Sequence, residues 1–137
     1  MFLDGFGTDS VPPHLTTREF LAAVRAILTP GGAVIGNVWG RQVNRLYDSM
    51  VKTYRAVYEG ILVADVVGSG NKILIATPER RHVPEFELTE RAHRITRKLE
   101  LRHDIVEVVE RNLRLPGEDG DAGKLLIDAE AGAATAR

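Results

Sequence analysis

The stretch ILVADVVGSGNKILIAT, residues Ile61–Thr77, decides the fold. It contains two apolar, β-branched runs, Ile61–Val67 and Lys72–Thr77, which predict two strands. Only GSGN, residues Gly68–Asn71, separates them, whereas a parallel connection needs about a dozen residues or more. The two runs therefore predict an antiparallel hairpin, and any sheet that contains them carries an antiparallel pair.

The sequence before the hairpin alternates strands with amphipathic helices. Met1–Leu3 and Ala33–Trp39 are short apolar runs that predict strands, and about Gln42–Tyr58 has apolar residues at helical spacing. Another helix is predicted from Thr16, which has the spacing of a capping box with Glu19. Strands that alternate with helices predict parallel strands joined by crossover helices. We therefore predict an α/β fold with a mixed sheet of about four strands.

The sequence after the hairpin has weaker patterns. Thr89–Arg102 and Ile105–Leu113 carry helical stripes, and Asp104 with Glu107 is a second candidate capping box. From Pro116 the chain is rich in Gly, Asp and Ala, which predicts a mostly flexible tail.

Three segments follow from these patterns. They are an α/β segment, residues 1–77; a helical segment, residues 78–115; and a tail, residues 116–137, of which only Leu125–Asp128 is expected to dock.

Composition narrows the class of protein. The 137 residues are 44% hydrophobic and 27% charged, with a net charge of −1, so the composition gives no sign of nucleic-acid or membrane binding. Cysteine is absent, which excludes disulfides, thiol nucleophiles and thiolate metal sites. The N-terminus has no signal-peptide pattern. These features favour a cytoplasmic protein.

Two polar side chains follow predicted strands. Asp4 comes directly after the first strand, and Asn37 lies near the end of the second. In an open α/β sheet, ligands bind outside the carboxyl ends of the strands, so both residues are candidates for a binding site. The alternative is that both only stabilise turns, which Asp and Asn favour for unrelated reasons.

The segment DGFGTDSVPPHLTTREFLAAVRAILTPGGAVIGNV, residues Asp4–Val38, resembles the polyamine aminopropyltransferases, the spermidine and spermine synthase family. The resemblance rests on Asp-x-Phe, then VPPHLTTREF, residues Val11–Phe20, then Leu-x-Pro-Gly-Gly, residues Leu28–Gly32, and it extends over roughly the first 77 residues. It implies a Rossmann-like domain of the nucleoside-sulfonium-dependent type. It also implies that the second strand of the hairpin inserts between the other two long strands.

The resemblance further implies a reaction and its residues. An aminopropyl group would pass from decarboxylated S-adenosylmethionine to a polyamine amine, without a metal, and Asp4 would be the general base. The family's second acid falls at Gly7, so Asp9 is the candidate to replace it in substrate binding. The remaining implied contacts are Asn37 and His14 with the substrate, and Gly5, Pro12 and Leu15 with the cofactor. His82, His93 and His103 lack metal-ligand spacing and are expected on the surface.

One part of the family's pattern does not occur in this sequence. The Gly-rich loop and the ribose-binding acid precede the strand of Asp4 in the family, so we expect a partial domain whose activity alone is doubtful. Three explanations would account for this: a start further upstream, a remnant of a longer protein, or a second chain that supplies the missing half. A homo-oligomer is a further alternative among the expected partners. Two alternatives stay open, a non-catalytic partner-binding module and an S-adenosylmethionine-dependent methyltransferase-like protein.

Overall fold

The computed structural model describes residues 1–5, 11–80, 83–103 and 105–129. The strands are β1 Phe2–Leu3, β2 Val34–Trp39, β3 Gly60–Asp65, β4 Asn71–Thr77 and β5 Leu113–Arg114. The α-helices are α1 Arg18–Ala26, α2 Tyr47–Val57, α3 Glu85–Leu99 and α4 Ile105–Glu107, with a 3₁₀ turn at Pro13–Leu15 and a π-helical turn at Val108–Asn112.

The strands form one five-stranded mixed sheet in the order β1-β2-β4-β3-β5. β1 is parallel to β2, whereas β4 lies antiparallel between β2 and β3. The mixed sheet, the hairpin and the insertion of its second strand are therefore confirmed. The fifth strand was not predicted: the helix expected to reach Leu113 ends earlier, because Leu113 and Arg114 pair with Ala64 and Val63 of β3.

One face of the sheet carries the hydrophobic core. Alternate residues of β2, β3 and β4 are buried there, as strand periodicity requires, and α1 and α2 pack over them. The side chains with no measurable exposure, and therefore at the centre of this layer, are Leu21, Val34, Val51, Thr53, Val63, Leu74 and Ala76.

The start of α1 differs from the predicted capping box. Thr17, not Thr16, is the N-cap, and its hydroxyl oxygen accepts a hydrogen bond from the Phe20 amide at 3.3 Å. Thr16 instead donates to the Pro13 carbonyl at 2.7 Å, because the 3₁₀ turn before it takes up this side chain. The Glu19 carboxylate accepts from the backbone amide of Asp128, so it holds the tail rather than the helix start.

Two other helix boundaries also shift. α2 begins at Tyr47 rather than near Gln42, since the Asn44 side chain accepts from the Leu46 amide and forms a turn there. α3 runs from Glu85 to Leu99 and ends at Glu100, which is left-handed with φ 46°. The predicted apolar face of α3 is mostly exposed, and only its Ala92 is buried.

The helix predicted after residue 104 is buried most at Val106, which the predicted apolar stripe of Ile105, Val108, Val109 and Leu113 does not include. Val106 is buried, whereas Val108, expected on the apolar face, is 39% exposed. Asp104, the predicted cap, lies outside the described residues.

The tail docks over more of its length than the four residues predicted. Its backbone is held along α2 by the side chains of Asp48, Ser49 and Thr53, which accept from the amides of residues 120, 124 and 126, each at 3.0 Å. The Arg41 guanidinium beside Asp48 lowers the pKa of that carboxyl, which keeps it charged for this contact. Side chains of α2 therefore order a segment whose composition alone favours disorder. The three-segment division itself stays a prediction.

Gly36 of β2 lets the Tyr54 side chain of α2 pack directly on the strand. Tyr54 is 3% exposed, and a β-carbon at Gly36 would lie 2.6 Å from its hydroxyl oxygen. Without that hydroxyl, the nearest atom of the ring would lie 3.4 Å away, an ordinary contact. A small residue on the strand and a large one on the helix therefore form one matched pair.

We predict that Gly36→Ala lowers the free energy of unfolding by about 1–3 kcal/mol through overpacking. Adding Tyr54→Phe should recover part of that loss, because the clashing oxygen is gone. Denaturant unfolding of both single variants and the double variant would measure the coupling. Gly70→Ala is the matched control, since its added carbon would meet nothing nearer than 3.9 Å. Strict additivity of Gly36→Ala and Tyr54→Phe would contradict this packing.

The three tyrosines predict a loss of stability at alkaline pH. Burial raises the pKa of Tyr58 to about 12 and also raises those of Tyr47 and Tyr54. A group whose pKa is raised by folding stabilises fully below its unfolded pKa, about 10 for tyrosine, and loses that contribution as the pH rises through the folded value. The free energy of unfolding should therefore fall from about pH 10 upward.

Denaturant unfolding across this range would test the prediction. Tyr54→Phe should make the fall less steep, because one of the ionising groups is removed. Phenol absorbance that titrates in the folded protein as it does in free tyrosine would contradict it.

Candidate functional site

Three polar side chains form a hydrogen-bonded row across three neighbouring strands. Asn71, at the start of β4, donates through Nδ2 to Oδ1 of Asn37 at 2.9 Å. Asn37, on β2, donates through its own Nδ2 to Oδ1 of Asp4 at 3.0 Å. Asp4 follows β1 directly, so the row runs along the edge of the sheet where the parallel strands end. The structure thus brings together the two side chains that the sequence predicted at this edge.

Asp4 differs from Asp65 and Asp119 in what holds it. Asp65 pairs with Lys72 at 2.7 Å, and Asp119 pairs with Arg114 at 2.8 Å, so a cation offsets each of these charges. Asp4 makes no ion pair with any residue that the structure describes, and its hydrogen bond comes from a neutral amide. Its carboxylate is exposed and keeps an attraction for an external cation.

A cavity of about 310 Å³ opens beside this carboxylate. Its polar lining is Asp4 and Asn37, and much of its wall is apolar, formed by residues of β1, β2, α1, α2 and the loop before α1. The apolar side chains of this wall are Phe2, Leu3, Val11, Leu15, Phe20, Val38 and Met50. An apolar cleft with a carboxylate at one side suits a ligand that joins an alkyl chain to an amine.

Tyr54 also lines this cavity. Its hydroxyl makes no hydrogen bond to any described residue, although the side chain is almost fully buried. Burial raises the pKa of Tyr54, so the phenol stays protonated at neutral pH. The residues that line the cavity therefore include a neutral phenol as well as the carboxylate.

The other predicted site residues are placed as follows. Gly5 and Leu15, predicted to contact the cofactor, line the cavity, and Pro12 is not among the described residues that do. His14 is exposed on the 3₁₀ turn and is also not among them. Asp9 and Gly7 lie outside the described residues. The individual roles of these residues stay predictions.

Other ligand classes find less support in the described part of the chain. His93 and His103 are exposed, and His82 is not described. No three His, Asp or Glu side chains of the described ranges cluster closely enough to hold a metal ion. None of the described helices is both long enough and apolar enough to cross a bilayer.

Sequence reasoning missed two residues of the site, Asn71 and Tyr54. The sequence predicts Asn71 in the hairpin turn, where an asparagine needs no functional explanation, whereas the structure makes it the first residue of β4. The predicted strand order could have found it. A strand inserted antiparallel between two others begins at the edge of the sheet where those two strands end. Tyr54 was read only as part of an apolar stripe, and nothing in helical spacing marks which core side chain will line a cavity.

Comparison with known proteins finds two kinds of relative. The chain is 31% identical over 77 residues to the polyamine aminopropyltransferase of Vibrio vulnificus (strain CMCP6), covering 56% of this chain and 25% of that protein. It is 32% identical over 124 residues to the human eEF1A lysine and N-terminal methyltransferase, covering 89% of this chain and 16% of that protein. The mouse methyltransferase of the same name matches to the same extent. No protein-family model matches the sequence.

A solved structure shares the fold. The crystal structure of human Methyltransferase-like protein 13 in complex with SAH superposes with a TM-score of 0.60 at 30% identity, covering 74% of this chain and 47% of that one. The chain thus spans less than half the length of each of these relatives. The five-stranded mixed sheet with its helices is a Rossmann-like fold of the S-adenosylmethionine-dependent methyltransferase type.

Proposed function

We propose that this chain carries the acceptor side of an S-adenosylmethionine-type transferase site, with Asp4 as the general base. The reaction we favour is transfer of an aminopropyl group from decarboxylated S-adenosylmethionine to a polyamine amine. The observation that carries the proposal is the Asp4 carboxylate, which has no counter-ion among the described residues and lies at the mouth of a largely apolar cavity. The aminopropyltransferase relative supports the choice of reaction.

Asp4 would act on the acceptor amine in two steps. An alkylammonium has a pKa near that of lysine, about 10.4, so at neutral pH the acceptor arrives charged and cannot attack. The carboxylate first binds this cation and then takes a proton from it, which frees the nitrogen lone pair. The freed nitrogen forms a bond to the carbon next to the sulfonium, and the carbon–sulfur bond breaks with its electrons on sulfur. The by-product is methylthioadenosine.

The cavity would position the rest of the acceptor. Leu3, Val11 and Phe20 offer apolar surface to the methylene chain of a polyamine, while Asn37 holds Asp4 at the edge. Fixing an amine beside a base contributes to rate because the reacting atoms need not be brought together at each attempt. Asp9 is proposed as the second cation-binding acid.

The nucleoside side of the site needs residues that these 137 positions do not contain. A strand followed by a Gly-rich loop and a helix is what cradles the nucleotide in this type of fold, and the sequence has no such segment. We propose that another segment or a second chain supplies it. β1 is the natural junction, because among the described strands it pairs only with β2 and its other edge is free.

Methyl transfer to a protein amine is the second candidate. The observation that favours it is coverage, since the methyltransferase relatives match 89% of this chain, including the segment after the hairpin, whereas the aminopropyltransferase matches 56%. An amine that accepts a methyl group must also lose a proton before it attacks. Asp4 would then perform the same step on a different acceptor. A non-catalytic module that binds a partner is the third candidate.

The by-product distinguishes the two reactions. The full-length protein that contains these residues would be incubated with decarboxylated S-adenosylmethionine and putrescine, or with S-adenosylmethionine and a lysine-rich protein. Mass spectrometry would then measure methylthioadenosine in the first mixture and S-adenosylhomocysteine in the second. We expect methylthioadenosine, and Asp4→Asn should reduce its rate of formation on the order of 10²–10⁴-fold, the loss typical of removing a general base.

Asp121→Asn is the matched control, since it makes the same chemical change at an exposed acid of the tail. Formation of S-adenosylhomocysteine alone would favour the methyltransferase, and formation of neither by-product would favour the non-catalytic module. Full turnover by Asp4→Asn would show that Asp4 is not the base.

A further inference from the structure

We propose that Asn71 is a positioning residue for Asp4, acting through the side-chain amide of Asn37. The inference rests on the proposed function, because it gives Asn71 a role in the site where Asp4 binds an amine. Its basis is the polarity of the two hydrogen bonds that link the three side chains.

An asparagine amide has a donating end and an accepting end, and a half-turn about its last bond exchanges them. Asn71 donates to Oδ1 of Asn37, which fixes that oxygen on the β4 side. The amide nitrogen of Asn37 must then face Asp4, where it donates to Oδ1. In the opposite orientation two amide nitrogens would face each other, and a carbonyl oxygen would face the carboxylate. Both contacts would be repulsive.

Asn71 matters most after Asp4 has taken a proton. A charged Asp4 can hold the Asn37 amide by itself, because the carboxylate attracts the donor. A protonated Asp4 attracts it far less, and Asn37 would then be free to turn. Asn71 does not change charge, so it keeps the donor aimed at Asp4 throughout a reaction cycle and favours return of the carboxylate to its charged form.

The backbone of Asn71 is itself fixed in the hairpin. Its amide donates to the Ser69 hydroxyl at 3.2 Å, and its carbonyl accepts from the Val66 amide at 3.2 Å. The side chain is half-buried, on the same face of the sheet as Asn37. A donor held by a closed turn is a rigid anchor for the row.

Nitrogen-15 NMR of the Asn37 side-chain amide tests the geometry without any ligand. In the wild-type chain, Asp4→Asn should shift this amide signal, because its hydrogen-bond acceptor changes from a carboxylate to an amide. In an Asn71→Asp background, two carboxylates compete for the Asn37 amide, so Asp4→Asn should let Asn37 turn to the remaining carboxylate and should shift the signal more than it does in the wild-type chain. Val67→Asp is the matched control, since it adds the same charge at an exposed position of the turn and keeps the Asn71 amide. An equal response to Asp4→Asn in the wild-type and Asn71→Asp backgrounds would overturn the proposal.

Calorimetric titration with putrescine supplies the second readout. Asn71→Ala should weaken putrescine binding about threefold to tenfold, the effect of losing one side-chain hydrogen bond, and should raise the pH at which binding is lost on acidification. Asn112→Ala, an asparagine on the π-helical turn, should leave both values unchanged.

The two readouts separate the two proposals. Wild-type protein that does not bind putrescine would contradict the acceptor site, while the NMR comparison still decides the role of Asn71. Wild-type affinity and an unchanged pH profile in Asn71→Ala would overturn the positioning role, provided that the wild type binds and circular dichroism shows the variant folded.

Discussion

The antiparallel insertion of β4 between β2 and β3 is the constraint on which the rest of the structure depends. It pairs Val34 with Ala76 and Gly36 with Leu74, so the central strand contributes buried residues to the core beneath α1 and α2. The same pairing fixes which residue of β4 reaches the functional edge. A one-residue slip would exchange the two faces of β4, moving Leu74 out of the core and Asn71 away from Asn37. Packing and site geometry are therefore specified by one strand register.

Asp4 at the candidate site is held differently from the acids that order the tail. Arg41, Arg55 and Arg114 each pair with an acid of α2 or the tail, and these contacts help hold the tail in place. Such exposed pairs contribute little energy each, about 0–1 kcal/mol. In each pair, however, the arginine offsets the charge of the acid. Asp4 is held by an amide instead, which orients the carboxylate without neutralising it. A carboxylate that is oriented and keeps its charge is what a cation-binding site requires.

Much of the fold could be predicted from local patterns, because turn length and apolar spacing determine where these strands and helices form. The short GSGN turn leaves a hairpin as the only connection between two strands, and the apolar spacing of α2 correctly marks Met50, Val51 and Tyr54 as buried. β5 could not be predicted this way, since two residues carry no periodicity and their strand state comes from pairing with β3. The docked tail is similar: its amides are bonded by side chains of α2 more than 70 residues away.

The residues of the candidate site differ in how far sequence alone could find them. Asp4 and Asn37 follow from the rule that ligands bind where parallel strands end, and that rule uses sequence order alone. To predict Asn71 at this edge takes one further step. The order of the strands in the sheet and the direction of β4 must also be known. Tyr54 needs the structure itself, because only the absence of a side chain at Gly36 lets its ring lie against the strand beside the cavity.

Under the proposed function, the size of the cavity bears on which ligand this chain would bind. About 310 Å³ is at the lower end of the range for ligand pockets, roughly 300–1,000 Å³, so it is large enough for an alkylamine. A polyamine and a lysine side chain both present an amine on a methylene chain, and both must lose a proton before they attack. The features found here, a carboxylate with no counter-ion among the described residues, a neutral donor that orients it and an apolar wall, serve either acceptor equally. The choice between them must then come from groups that bind the sulfonium donor, since the donor determines whether a methyl or an aminopropyl carbon faces the amine.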